Sequence, residues 1–187
     1  GTYTTLDSGI VGKTYTDNWQ IDSSVWNEMS NGTHYLYFKI TDDAGNQYET
    51  SSDEAGFKFK KDDSNPNSEI TIPADEEYYA AGSAIDTNIS GTASNGESGV
   101  NHVNITIYNS TDGTYWTGAA WQEDVAWLNT NGTTTWYNNS ALPIWVHDKT
   151  YYINSTAVDT AGNIESSSDS NSFTYDTIDP SAPTYND

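Results

Sequence analysis

The 187-residue chain has room for one or two domains and contains no cysteine, which removes disulfide frameworks, Cys-ligated zinc and thiol nucleophiles from consideration. Six basic residues, all Lys, face 27 acidic ones for a formal net charge of −21, a balance that repels nucleic acid and anionic lipid. No apolar run approaches the ~20 residues of a membrane-spanning helix, and the Asn-, Ser- and Thr-rich composition is interleaved with seven Trp and fourteen Tyr, which suits short strands and exposed turns rather than disorder.

The sequence opens on Gly1 with neither an initiator Met nor a signal peptide, so residue 1 is not expected to be the start of the gene product. From Thr33 onward, Leu36, Phe38 and Ile40 alternate with Tyr35, Tyr37 and Lys39, the period of a half-buried strand. That strand runs into Asp42-Asp43-Ala44-Gly45-Asn46. A carboxylate at the first position can accept backbone N–H groups across the bend, and Gly followed by Asn tolerates the positive φ that closes it. A closing strand around Phe59 then leads through an acidic segment to Pro66, which cannot continue a central ladder and predicts a domain junction. Beyond it, strands are predicted over residues 69–72, 86–94, 100–109, 114–117, 133–138, 150–159 and 172–176. Seven short strands at this spacing predict a two-sheet β-sandwich.

The chain repeats itself. Residues 19–46 align without a gap on residues 136–163 at an offset of 117, with eight identities in 28 positions, among them Trp19/Trp136, Ser23/Ser140, Thr33/Thr150 and Tyr35/Tyr152. After the turn the offset falls to 114, pairing residues 58–66 with 172–180 and Phe59 with Phe173; the difference sits in a loop, where insertions are tolerated. Nothing earlier in the chain matches residues 68–117. Three organisational expectations follow: residues 1–65 are a partial domain holding only its C-terminal strands, residues 66–180 are a complete sandwich, and residues 181–187 are a linker or the opening of another unit. The remainder of the first domain is expected from upstream sequence, with strands supplied by another subunit as the alternative.

A strand ending in D-x-A-G-N (Asp42 to Asn46; Asp159 to Asn163), followed by a closing strand with F-x-x-D-x-x-x-P (Phe59 to Pro66; Phe173 to Pro180), resembles the Ig-like repeats of large bacterial and archaeal cell-surface proteins: adhesins and filament or S-layer-type proteins. The resemblance implies an all-β fold of tandem Ig-like β-sandwich domains, an extracellular location and an architectural or adhesive role.

N-x-S/T sequons occur at Asn31, Asn88, Asn104, Asn109, Asn131, Asn138 and Asn154, against roughly four or five expected from composition alone. Asn88, Asn104 and Asn154 alternate with apolar neighbours and are expected to face solvent, while the other four fall in or beside turns. All seven are therefore expected to be available to covalent N-linked glycans. Trp116, Trp121, Trp127 and Trp136 cluster with Tyr115. Exposed indoles there would stack on sugar rings, whereas buried ones would form a satellite core beneath the long connection 118–132; packing is the stronger expectation because Trp is mostly buried. The acidic pairs Asp42/Asp43, Asp62/Asp63 and Asp176/Asp179 offer hard oxygens to a structural Ca²⁺, but turn chemistry accounts for them without a metal.

Catalysis has little support. His34, His102 and His147 lack a recognisable nucleophile motif. Lys39 points outward by alternation and is not placed for a Lys–Asn crosslink. The reading that results is a non-enzymatic, N-glycosylated extracellular subunit or repeat of a microbial surface filament, sheath or surface layer, self-associating into a homo-oligomeric assembly, with no nucleic acid or membrane partner and no resident cofactor. An adhesin or carbohydrate-binding module is the alternative.

Overall fold

The computed structural model describes residues 21, 23–37, 39–50 and 57–181, and the architecture is all-β apart from two short helical turns. Trp19, whose equivalence to Trp136 the repeat predicts, lies outside the described residues.

The first described stretch opens with a short helix, α1 (Ser23–Glu28). Strand β1 (Gly32–Leu36) follows, then the small hairpin of β2 (Lys39–Thr41) and β3 (Gln47–Glu49), and then β4 (Phe57–Lys61), which returns antiparallel to β1. The sandwich begins with β5 (Asn67–Ile72) and continues through β6 (Glu77–Tyr79), a 3-10 turn at Ala84–Asp86, β7 (Ile89–Ser94), β8 (Val100–Asn109) and β9 (Thr114–Trp116). The connection that follows holds three two-residue strands, β10 (Trp121–Gln122), β11 (Leu128–Asn129) and β12 (Asn131–Gly132). Strands β13 (Thr135–Asn138), β14 (Lys149–Asp159) and β15 (Asp169–Tyr175) complete it.

One sheet has the order β10-β9-β8-β14-β15-β6, with β11 sharing the outer edge of β8; the facing sheet is β12-β13-β7-β5. All seven predicted sandwich strands are present. The short strands β6 and β10 to β12 are additional to the predicted ones, and β6 is unusual in pairing parallel to β15. A parallel partner separated by most of the domain leaves no local pattern in the sequence.

Alternation explains the core. Val103, Ile105 and Ile107 of β8, Tyr151, Ile153 and Ala157 of β14, Phe173 and Tyr175 of β15, and Ile89 and Ala93 of β7 all point inward and are buried. Trp145, in the loop before β14, packs edge-on against Tyr151 and Phe173 at ring separations of 4.8 and 5.1 Å and donates its indole N–H to the Ile85 carbonyl at 3.1 Å. Trp136 lies across Gly91 of β7. A Cβ at that glycine would collide with the Trp136 ring and the Glu69 carbonyl, so the bare backbone is what admits the indole to the main core.

Glu165 stitches the two sheets together. Its carboxylate accepts the Ser68 N–H of β5 at 2.7 Å, the Ser68 hydroxyl at 2.6 Å and the Ala157 N–H of β14 at 2.8 Å. Asp169 accepts the Ile70 N–H at 2.7 Å, and Asn171 donates to the carbonyls of Ile70 and Pro73 at 3.2 and 2.8 Å. The outer edge of β5 is thereby capped by side chains of its own domain, one of the ways folded sheets block further strand pairing.

The two D-x-A-G-N turns have the same geometry. Asp42 accepts Asn46 N–H at 2.8 Å and Asn46 Nδ2 at 2.8 Å; Asp159 accepts the Asn163 counterparts at 2.8 and 2.9 Å. Gly45 and Gly162 both have the positive φ that the sequence predicts, 88° and 95°. Register agrees as well. Gly32 opposes Lys61 and Thr33 opposes Lys60, while Lys149 opposes Tyr175 and Thr150 opposes Thr174, the pairs that offsets of 117 and 114 require. The stretches differ in what covers them: Ala157 is fully buried, whereas its counterpart Ile40 is 61% exposed and Phe57 is 72% exposed.

Candidate functional site: the junction at Asp62 and the glycan and aromatic surfaces

The segment entering the sandwich is held by a small polar socket. Asp62 turns on itself, its Oδ1 accepting Ser64 N–H at 3.0 Å, and Oδ2 accepts Ser98 N–H at 2.9 Å from the loop between β7 and β8. Its backbone carbonyl accepts Asn163 Nδ2 at 3.0 Å. Asn95 Nδ2 donates to Asp159 at 2.5 Å and approaches Asp62 Oδ2 at 3.5 Å. The linker is thus fastened by the loop 95–98 on one side and the Asp159–Asn163 turn on the other. An open cleft of about 300 Å³ beside it is lined by Lys60, Asp62, Glu97, Ser98, Thr160 and Ala161.

Both carboxylates of this socket are held below the ordinary Asp value. For Asp62 the leading cause is the Ser98 side chain, with the backbone N–H groups of Ser64 and Ser98 adding to it against partial burial and the nearby charge of Asp159. The Ser98 hydroxyl makes no bond of good hydrogen-bond geometry, so its influence is that of a nearby dipole. For Asp159 burial is the largest influence and pushes upward, but the combined donors of Asn163, Ser98 and Gly162 outweigh it.

Just before the junction, Lys61 is buried. Its ammonium donates to the Met29 carbonyl at 2.7 Å, pairs with Asp63 at 3.1 Å and sits 5.6 Å from the Trp26 ring centre. Trp26 in turn stacks on Phe59.

Among the described residues no group of three or more His, Cys, Asp or Glu side chains converges as a metal site. The first member of each acidic pair singled out by sequence is engaged locally: Asp42 with Ala44 and Asn46, Asp62 with Ser64 and Ser98, Asp176 with Ile178 and His147.

The seven sequons divide by exposure. Asn131 is exposed, and Asn31, Asn88, Asn104 and Asn154 are half-buried. The expectation of general availability is corrected at two positions. Asn109 is 3% exposed, accepting the N–H groups of Thr111 and Asp112 while donating to the Asp112 carboxylate; Asn138 is 5% exposed and donates to the Asn129 carbonyl. Both share strand parity with core residues, Asn109 with Ile107 and Asn138 with Trp136, so the pleat turns them inward.

The aromatic cluster divides too. Trp116 and Trp121 lie 5.3 Å apart with planes inclined at 56° and pack partly against the core; Trp136 belongs to the core itself; Trp127 is 52% exposed. On the outer face of the larger sheet, Tyr108 lies 4.7 Å from Tyr115 and 6.5 Å from Tyr152.

No helix among the described residues is long and apolar enough to cross a membrane. Comparison with curated proteins finds no match. Among solved structures, CopC from Methylosinus trichosporium OB3b is similar with 14% identity and a TM-score of 0.40, over 62% of this chain and 100% of that one. A family model described as a bacterial Ig-like domain matches residues 65–177, the span from the junction proline to the end of the last strand, and the chain belongs to that family.

Proposed function

We propose that the chain is an architectural segment of tandem Ig-like modules in an extracellular filament, sheath or surface layer, N-glycosylated and without enzymatic activity. The observation that carries this reading is the recurrence of strand, turn and closing strand at offsets of 117 and 114 with the same register and turn hydrogen bonds. Residues 1–65 are the end of one module, 66–180 a whole one and 181–187 a linker or the start of the next. The exposed Ile40 and Phe57 support the incomplete first module, since their side chains occupy a face that a second sheet covers in the complete one. Upstream sequence supplies that sheet, or a second subunit does in a homo-oligomeric assembly. Glycans on Asn131 and the half-buried sequons, together with the net charge of −21, would keep neighbouring molecules apart except at specific contacts.

A second reading as an adhesin or glycan-binding segment rests on Trp127, half-exposed next to Val125. It is the weaker one, because the inclined, partly buried Trp116 and Trp121 do not form a flat exposed platform. Negative-stain microscopy of native material tests the two. Regular fibres or sheets containing this chain support architecture; dispersed monomers that bind glycans and lose binding on Trp127→Ala support adhesion.

A further inference from the structure

The socket around Asp62 has an unused counterpart at the far end of the sandwich. Asp176 follows β15 as Asp62 follows β4, 114 residues earlier. The two share the same local turn: Asp62 Oδ1 accepts Ser64 N–H at 3.0 Å, and Asp176 Oδ1 accepts Ile178 N–H at 2.9 Å. In each case the turn occupies one carboxylate oxygen and leaves the other available. At Asp62 that oxygen is taken by Ser98 N–H, and the backbone carbonyl by Asn163 Nδ2. At Asp176, beyond the Oδ1 contact with His147 at 3.2 Å, no hydrogen bond reaches Oδ2 among the described residues, and the side chain is about half exposed (48%).

The complementary half is also duplicated. The Asp42–Asn46 turn reproduces both bonds that the Asp159 carboxylate makes with Asn163 and is exposed. What it lacks is a counterpart of the loop 95–98, which belongs to the strands that residues 1–65 do not repeat.

We propose that Asp176 is a docking residue for a following Ig-like unit, seating its free carboxylate oxygen on the backbone N–H that corresponds to Ser98 and its carbonyl on the amide that corresponds to Asn163. Asn46 is then half of the same socket for the unit that comes before. The partner is a unit of the same kind, recognised by a D-x-A-G-N turn beside a short polar loop. This rests on the tandem reading above and adds that the junctions are fixed rather than loose. A carboxylate acceptor suits the task, because charge-assisted hydrogen bonds are stronger and more directional than neutral ones.

The test uses the full chain extended after Ser181 by a second copy of residues 68–181, so that Asp176 faces an intact socket. The sequence has no cysteine, which allows one nitroxide at Glu123→Cys in each sandwich and a pulsed-dipolar measurement of the distance between them. A single narrow distribution is expected, broadening at least twofold with Asp176→Ala. Asp176→Asn keeps an accepting oxygen and should retain most of the narrowness. Asp62→Ala, which loosens only the earlier junction, should leave this distance unchanged. A distribution already broad in the parent, or indifferent to Asp176→Ala, or equally broadened by Asp62→Ala, overturns the proposal. Any of those results leaves the array reading standing, since loosely linked units also form arrays. Absence of fibres or sheets in native material would count against the array and not against the docking residue.

Discussion

The Glu165 carboxylate binds Ser68 twice, through its backbone N–H and its hydroxyl, and so ties the first strand of one sheet to the loop that leaves the longest strand of the other. A third bond, from Ala157 N–H, and the Ser68–Ser155 hydroxyl pair at 2.8 Å complete a buried polar cluster between the sheets. Buried groups of this kind cost most when one partner is removed and the others are left unpaired.

Glu165→Ala should therefore destabilise the domain by about 3–5 kcal/mol, because several buried donors lose their acceptor at once. Glu165→Gln keeps one accepting oxygen and should lose about half as much. Urea unfolding followed by Trp fluorescence measures both; equal stability of Glu165→Ala and the parent would show that the cluster does not hold the sheets.

Gly91→Ala adds a single methyl group where the Trp136 indole and the Glu69 carbonyl leave no space. Overpacking of this kind costs about 3 kcal/mol, and more if the ring is expelled. The thermal midpoint should fall, and the Trp emission should shift to the red as Trp136 gains water. An unshifted spectrum with unchanged stability would mean that the indole does not lie against Gly91.

The acid limb of stability follows from Asp42, Asp62, Asp159 and Asp75, the last accepting the Ser172 N–H and hydroxyl; hydrogen-bond donors hold all four below the ordinary Asp value of 3.8. With a folded value depressed below the unfolded one, the unfolded chain takes up protons first as pH falls. Stability is thus fully present above about 4–5 and is lost as pH drops through 3.8 toward the lower folded values. Urea midpoints measured from pH 7 to 2.5 should decline in that window, and Asp159→Asn should flatten the decline.

Glycan occupancy should follow exposure. Glycopeptide mass spectrometry of native material is expected to find Asn131 modified in most molecules and Asn109 and Asn138 near background, since the two amides are enclosed by the turns they make. High occupancy at Asn109 would require attachment before the strand pairs.

These contrasts show which parts of the molecule the sequence could reveal. The turns at Asp42 and Asp159 were legible because their hydrogen bonds stay within five residues. Strands β8 and β14 were legible because a period of two runs through them. The same period carried an overlooked signal at Asn109 and Asn138, which fall in phase with Ile107 and Trp136. Trp145 sits in an aperiodic loop, and its burial depends on Ile85, Tyr151 and Phe173 from three other segments. Glu165 and Ser98 are equally silent, since each acquires its role only when loops distant in sequence are brought together.

Strands β5 and β15 run in the same direction, linked through Asn171 to Ile70 and Pro73 and then through Ser172 to Asp75. The chain therefore enters at one end of the sandwich and leaves at the other. Tension applied between Asp62 and Asp176 acts along the strands as shear, loading the carboxylate and amide contacts of Glu165, Asp169 and Asn171 together. It does not peel them apart one at a time. Because forced unfolding is governed by the rate of crossing the unfolding barrier, a pull on such a module should meet concerted resistance where β5 meets β14 and β15, and Glu165 and Asp169 are the side chains whose loss would let it slip.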